Sequence, residues 1–127
     1  MSTGAASRKT RILIADDEKT IADTLSLILA GAGYEVFVAY DGLAAVTKAE
    51  EWPPDLFLTD VVMPRLTGIE AALEICKRLP DCRVLLISGQ ANLKDIRREI
   101  KSKCNRFEVF QKPLHPTELI AHIERLL

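Results

Sequence analysis

The chain has no apolar run that approaches the roughly 20 residues of a membrane-spanning helix, so no membrane insertion is expected. Residues 1–10 lack the apolar core of a signal peptide and read as a loose tail ahead of one domain over 11–127. There are only three cysteines, Cys76, Cys82 and Cys104. An odd number cannot pair completely within the chain, and their spacing fits no zinc or redox motif. Cys76 and Cys104 fall on apolar helical stripes, where a thiol acts as a small hydrophobe. A reducing, cytoplasmic setting is expected. Neither sign of charge dominates. Lys plus Arg is 17 and Asp plus Glu is 18, for a net −1. That balance gives direct nucleic-acid binding no electrostatic footing. Repeats and low-complexity tracts are also missing. The position after the first strand-like segment is acidic rather than rich in donors, which disfavours a flavin phosphate there.

What is present is ordinary globular composition, 48% hydrophobic and 28% charged, at a length of 127 residues that suits one domain with one sizeable core. Strand-like and helix-like segments alternate five times. Strands are expected over Arg11–Ala15, Glu35–Tyr40, Leu56–Thr59, Val84–Ile87 and Phe107–Gln111. The first helix, Thr20–Ala32, puts Ile21, Leu25, Ile28, Leu29 and Ala32 on one face, and Gly33 stops it. Asp41-Gly42 reads as a turn before a short helix, Leu43–Glu51, closed by Trp52-Pro53-Pro54. Ile69–Leu79 carries Ile69, Leu73, Cys76 and Leu79 at helical spacing, and Pro80-Asp81 ends it. Leu93–Cys104 aligns Leu93, Ile96, Ile100 and Cys104. The last helix, Thr117–Leu127, turns Leu119, Ile123, Leu126 and Leu127 inward.

This alternation implies an α/β fold: a (βα)5 doubly wound parallel sheet with helices on both faces. The wholly apolar third strand suits a sheet covered on both sides. The common five-strand order is the flavodoxin-like 2-1-3-4-5, with ligands at the switch point where the order reverses. In that order strands one and three are neighbours, about 4.8 Å apart. Asp16, Asp17 and Asp60, each just past a strand, then meet at one sheet edge. Ser88 comes next to Asp60 on strand four. Lys112, after strand five, starts roughly 10 Å away, a gap its stem can largely close.

Converging carboxylates repel unless a cation joins them. Mg²⁺ takes oxygen ligands, usually one or two carboxylates plus waters and a phosphate. Asp17 and Asp60 suit that role, with Asp16 ordering a water. A carboxylate can itself attack phosphorus, and such transfer needs mainly positioning and charge neutralisation. Lys112 supplies positive charge and the Ser88 hydroxyl a hydrogen bond. Each residue taken alone has a plainer explanation: a helix cap for Asp16 or Asp17, a turn for Asp60 or Ser88-Gly89, a strand-end charge for Lys112. It is their joint placement at strand ends that points to chemistry.

The same residues carry a family resemblance over almost all of 11–127. The chain resembles the phosphoacceptor receiver domain of two-component response regulators. The matching elements are Ile-Leu-Ile-Ala-Asp16-Asp17-Glu18, Asp55-Leu-Phe-Leu-Thr-Asp60-Val-Val-Met63-Pro64 with Gly68 beyond, Leu-Leu-Ile-Ser88-Gly89, and Lys112-Pro113. Any one is weak, but the ordered set is highly specific. The resemblance implies that Asp60 accepts a phosphoryl group from a histidine kinase or histidine phosphotransfer protein. It implies that Asp17, Asp60 and the Val62 carbonyl bind Mg²⁺, with Asp16 helping through water. It further implies that Ser88 and Lys112 contact the phosphoryl group, that the Lys112-Pro113 bond is cis, and that phosphorylation alters binding of a downstream protein or output domain. Such a protein modifies itself and is not a turnover enzyme. Two other readings stay open: a receiver-like module that binds partners without phosphate, and an aspartyl-phosphate hydrolase of the haloacid-dehalogenase kind with Asp16 as nucleophile.

Some positions depart from the family pattern. Val109 stands where Tyr or Phe is usual, and Phe110, one residue later, should face the other way. Asn105 stands near the family's usual Gly. Val62 and Gln90 occupy positions that tune phosphate lifetime in the family. Lys94, Arg97, Arg98, Lys101, Lys103 and Arg106 give a basic face, read either as a solvated surface or as a docking surface. His115 and His122 lack ligand-like companions. Trp52 reads as a packing or loop residue beside Pro53-Pro54. The sequence stops after the last helix, which suits a stand-alone regulator or an excised receiver.

Overall fold

The computed structural model describes residues 9–63, 65–89, 94, 97–99, 107–112 and 115–127. Five strands appear in these residues: β1 (Arg11–Ala15), β2 (Glu35–Ala39), β3 (Leu56–Asp60), β4 (Arg83–Ser88) and β5 (Phe107–Gln111). The helices are α1 (Lys19–Gly31), α2 (Gly42–Glu51), α3 (Gly68–Arg78) and α4 (Pro116–Leu126). Residues 94 and 97–99 are also helical, in the segment where Leu93–Cys104 was expected; the rest of that segment lies outside the described residues.

All strand pairs are parallel, in the order β2-β1-β3-β4-β5 expected from the sequence. The period-two alternation of strands sorts the core into two layers. Ile12, Ile14, Leu56, Leu58, Leu85 and Ile87 face α1 and α4, meeting Ala22, Leu25, Leu29, Leu119 and Ile123. Leu13, Ala15, Phe57, Val84, Leu86 and Phe107 face α2 and α3, meeting Val46, Ala49, Ala72 and Ile75. Leu56, Phe57, Leu58 and Thr59 are all buried, as a central parallel strand covered on both faces requires. Burying each large side chain contributes about 1.5–3 kcal/mol, so the central strands hold the frame on which the sheet edge is built.

Side chains cap the starts of α2 and α3. Asp41 is the N-cap of α2, its Oδ1 accepting the Ala44 N–H at 2.7 Å. The Asp41-Gly42 pair therefore opens a helix rather than forming a separate turn. Thr67 and Glu70 form a reciprocal capping box on α3. Gly33 adopts φ +104° just after α1, the left-handed stop its position suggested. Two inward assignments fail at helix ends. Ala32 is exposed, and Leu127 keeps 48% of its surface accessible, because both lie beyond the last packed turn. Ring contacts line the β2 side of the sheet: Phe37 lies 5.8 Å from Trp52, Lys48 lies over Phe37, and Arg11 lies over Trp52. Of its packing and loop readings, Trp52 takes the first, partly buried against the core just after α2. Cys76 and Cys82 are buried; Cys104 lies outside the described residues.

Candidate functional site

The carboxyl ends of β1, β3, β4 and β5 form one edge. Ala15 pairs with Thr59 in register, which sets Asp16 and Asp60 side by side one residue later. Asp16, Asp17 and Asp60 each offer a carboxylate oxygen, and these oxygens all lie within 4.8 Å of one another. The Lys112 stem spans β4 completely: its Nζ lies 3.0 Å from Asp60 Oδ2. Lys112 is placed by its own N–H, which donates to the Ser88 carbonyl at 2.9 Å. Ser88 ends β4 at the same edge and is buried. Val62 is exposed, and its N–H donates to Asp60 Oδ1 at 3.2 Å. Each sequence-predicted site residue therefore reaches this edge. Pro113, Pro64, Gln90 and Asn105 lie outside the described residues, as does the expected cis bond.

The three acidic residues differ. Asp16 is 5% exposed, and its Oδ1 accepts the Glu18 N–H at 2.9 Å, ordering the entry to α1. Burial pushes its carboxyl above the usual 3.8; the Glu18 hydrogen bond opposes this, while the Asp60 charge adds to it. Asp17 is exposed. Asp60 stands between, its side chain 11% accessible. Burial alone pulls the Lys112 ammonium down. The hydrogen bond and charge of Asp60, with the charges of Asp16 and Glu18, outweigh burial and raise it above 10.5. One firmly protonated ammonium thus faces three acidic groups.

The donor set fits a hard divalent cation. All three side chains offer carboxylate oxygen, with neither thiolate nor imidazole among them, and the pocket opens to water on the Asp17 side. The partly uncompensated negative charge gives such an ion a reason to bind.

Thr59 and the closeness of Gly68 were not singled out from sequence. Thr59 is 1% exposed, and its hydroxyl donates to the Asp60 carbonyl at 2.9 Å. A Cβ on Gly68 would lie 2.9 Å from the Asp60 carbonyl carbon and 3.0 Å from Thr59 Oγ1. The first turn of α3 therefore presses directly on the backbone that carries Asp60. A lone polar residue in an otherwise apolar strand was the available signal for Thr59.

The two histidines stand apart. His115 precedes α4 and is exposed. His122 stands edge-on to Phe110, with Nε2 3.3 Å from Glu108. Val109 packs in the α2–α3 layer and Phe110 in the α1–α4 layer, so they do face opposite ways. Lys94, Arg97 and Arg98 are exposed; Lys101, Lys103 and Arg106 lie outside the described residues.

Comparison with known proteins agrees with this geometry. The family profile described as response regulator receiver domain matches residues 12–124. The chain belongs to that family. The receiver protein CpdR of Brucella abortus (strain 2308) is 34% identical over 122 residues, covering 92% of this chain and 96% of that protein. The DNA-binding response regulator MtrA of Mycobacterium tuberculosis (strain ATCC 25618 / H37Rv) is 28% identical over 117 residues, covering 92% of this chain and 50% of MtrA. This receiver domain spans about half the length of the first curated relatives it matches. Among solved structures, Vibrio cholerae CheY4 superposes with a TM-score of 0.86 at 28% identity, covering 94% of this chain and 100% of that one. The chain is accordingly a receiver domain of two-component signal transduction, a family of phosphoacceptor regulators. Among the described residues no helix is long and apolar enough to cross a membrane.

Proposed function

We propose that Asp60 is the phosphoacceptor, taking a phosphoryl group from a phosphohistidine on a histidine kinase or histidine phosphotransfer protein. The observation that carries this is the Asp60 carboxylate itself. It is held between Lys112 Nζ at 3.0 Å and the Val62 N–H at 3.2 Å, with the carboxylates of Asp16 and Asp17 beside it. In the transfer, an Asp60 oxygen attacks phosphorus and the donor P–N bond breaks. The imidazole leaves and an acyl phosphate forms. Lys112 shifts its ammonium from the Asp60 carboxylate to a phosphoryl oxygen, and the Ser88 hydroxyl donates to another. Asp16, Asp17, Asp60 and the Val62 carbonyl would hold Mg²⁺. When bound, the ion neutralises charge between the phosphoryl group and the carboxylates that meet it. The product is a modified regulator, not a released substrate. Phosphorylation then shifts a conformational balance and changes binding to a downstream protein or output domain. We take residues 11–127 as the domain that does this, in the cytoplasm.

Incubation with Mg²⁺ and acetyl phosphate, followed by intact mass, tests the acceptor. One added phosphoryl group on the wild type, absent from Asp60→Asn, is expected. The same gain on Asp60→Asn would remove Asp60 from the role. Labelling lost on Asp16→Asn, with repeated turnover of a phosphate monoester, would instead favour a hydrolase.

A further inference from the structure

The loop that follows Asp60 is gripped from a second side by a helix that carries no site residue. A Cβ on Gly42, the first residue of α2, would fall on the Leu66 carbonyl oxygen and lie 2.7 Å from Leu66 Cβ. Only glycine lets the α2 backbone approach the loop this closely. The neighbouring residues reinforce the contact. Asp41 caps α2 through Oδ1 and turns Oδ2 to within 3.9 Å of the Arg65 guanidinium. Arg65 is held at φ +71°, a left-handed conformation that a non-glycine residue adopts at some cost. The inner end of the loop is fixed as well: Val61 donates to the Ile87 carbonyl at 3.0 Å and accepts from Gly68 N–H at 2.9 Å. Between these anchors stands Val62, whose N–H orients the Asp60 carboxylate.

We propose that Gly42 and Leu66 form a clamp that sets Mg²⁺ affinity by fixing the loop that aims Asp60, which makes both of them positioning residues. The inference rests on the metal reading above. Pushing Leu66 outward displaces the Val62 amide and frees the Asp60 carboxylate to turn toward Lys112 alone. Cation affinity falls because the oxygens no longer converge, while Lys112 and Ser88 stay in place.

Calorimetric titration with MgCl₂ tests this on wild type, Gly42→Ala, Leu66→Gly and Gly31→Ala. Leu66→Gly removes the Cβ that α2 meets and frees the loop backbone. Gly31 has open space around its Cβ position, so that variant controls for adding a methyl group. Gly42→Ala and Leu66→Gly are expected to bind Mg²⁺ about tenfold more weakly, the size usual for lost outer support of a metal ligand. Gly31→Ala should match the wild type. Asp60 labelling by acetyl phosphate should return to the wild-type rate at saturating Mg²⁺, which a general loss of structure would not allow. Folding is checked by circular dichroism, and Leu66→Gly carries the test if Gly42→Ala fails to fold. Wild-type affinity in a folded Gly42→Ala or Leu66→Gly overturns the clamp. A wild type that takes up no Mg²⁺ overturns the metal reading, and the clamp with it.

Discussion

Asp16 shows how much the site costs the fold. Its carboxyl is raised by burial and by the Asp60 charge, so the folded chain holds that proton more tightly than the unfolded chain. Stability from this group is present at low pH and is lost as pH rises from 3.8 through the higher folded value; at neutral pH its ionised form works against folding. Asp16→Asn keeps an acceptor for the Glu18 N–H and removes the charge. It is expected to raise the thermal midpoint of metal-free protein at pH 7 and to flatten its dependence on pH above 3.8; a lower midpoint at pH 7 would contradict this. Lys112 acts in the opposite sense. Its contribution is full below 10.5 and fades as pH rises through its higher folded value. Lys112→Ala should slow Asp60 labelling by about 100-fold, as loss of one charge-stabilising donor does elsewhere. A stopped time course of intact mass measures that ratio. The convergence of Asp16, Asp17, Asp60 and Lys112 was legible in the sequence because each follows an apolar run at a fixed place in the βα alternation. Thr59 was not, because its role lies in a hydroxyl bonded to the adjacent carbonyl, and nothing in the spacing reports that bond.

At the scale of elements, strands were more legible than helix ends. Apolar runs such as Leu56-Phe57-Leu58 announce a doubly covered strand without help from neighbours. An Asp-Gly pair signals a turn and a helix start equally well, and only the Asp41 bond to Ala44 N–H decides between them. Ala32 and Leu127 continue an apolar stripe in sequence, yet the helix runs out of partners before reaching them. Close approaches are the least legible of all, since a glycine in a list of residues does not say what faces it. Gly68 faces the Asp60 carbonyl, with Thr59 Oγ1 a contact beyond it. Gly68→Ala must therefore move either α3 or the backbone of Asp60. A loss of about 1–3 kcal/mol in urea denaturation is expected, the usual cost of overpacking, together with weaker Mg²⁺ binding. Thr67→Ala removes one half of the capping box at the same helix and should cost about 1 kcal/mol without touching the Asp60 backbone. The pair separates helix stability from acceptor placement.

For the whole molecule, the site and the single Trp52 lie at opposite ends of the α2–α3 side. Trp52 follows the last turn of α2, stacked on Phe37 and Arg11, whereas the acidic edge lies where β1 and β3 end. A cation bound among Asp16, Asp17 and Asp60 touches only the native state, so it stabilises by mass action without any change at Trp52. At 100 times the dissociation constant this is worth about 2.7 kcal/mol, or on the order of 10 °C for a domain of this size. Trp52 emission followed through a thermal melt should then show a raised midpoint with Mg²⁺ and an unchanged native baseline. Asp17→Asn should lose most of the shift. A native baseline that moves with Mg²⁺ would mean that the cation reorganises the far end of α2. An equal shift in wild type and Asp17→Asn would mean that the cation acts somewhere other than this sheet edge.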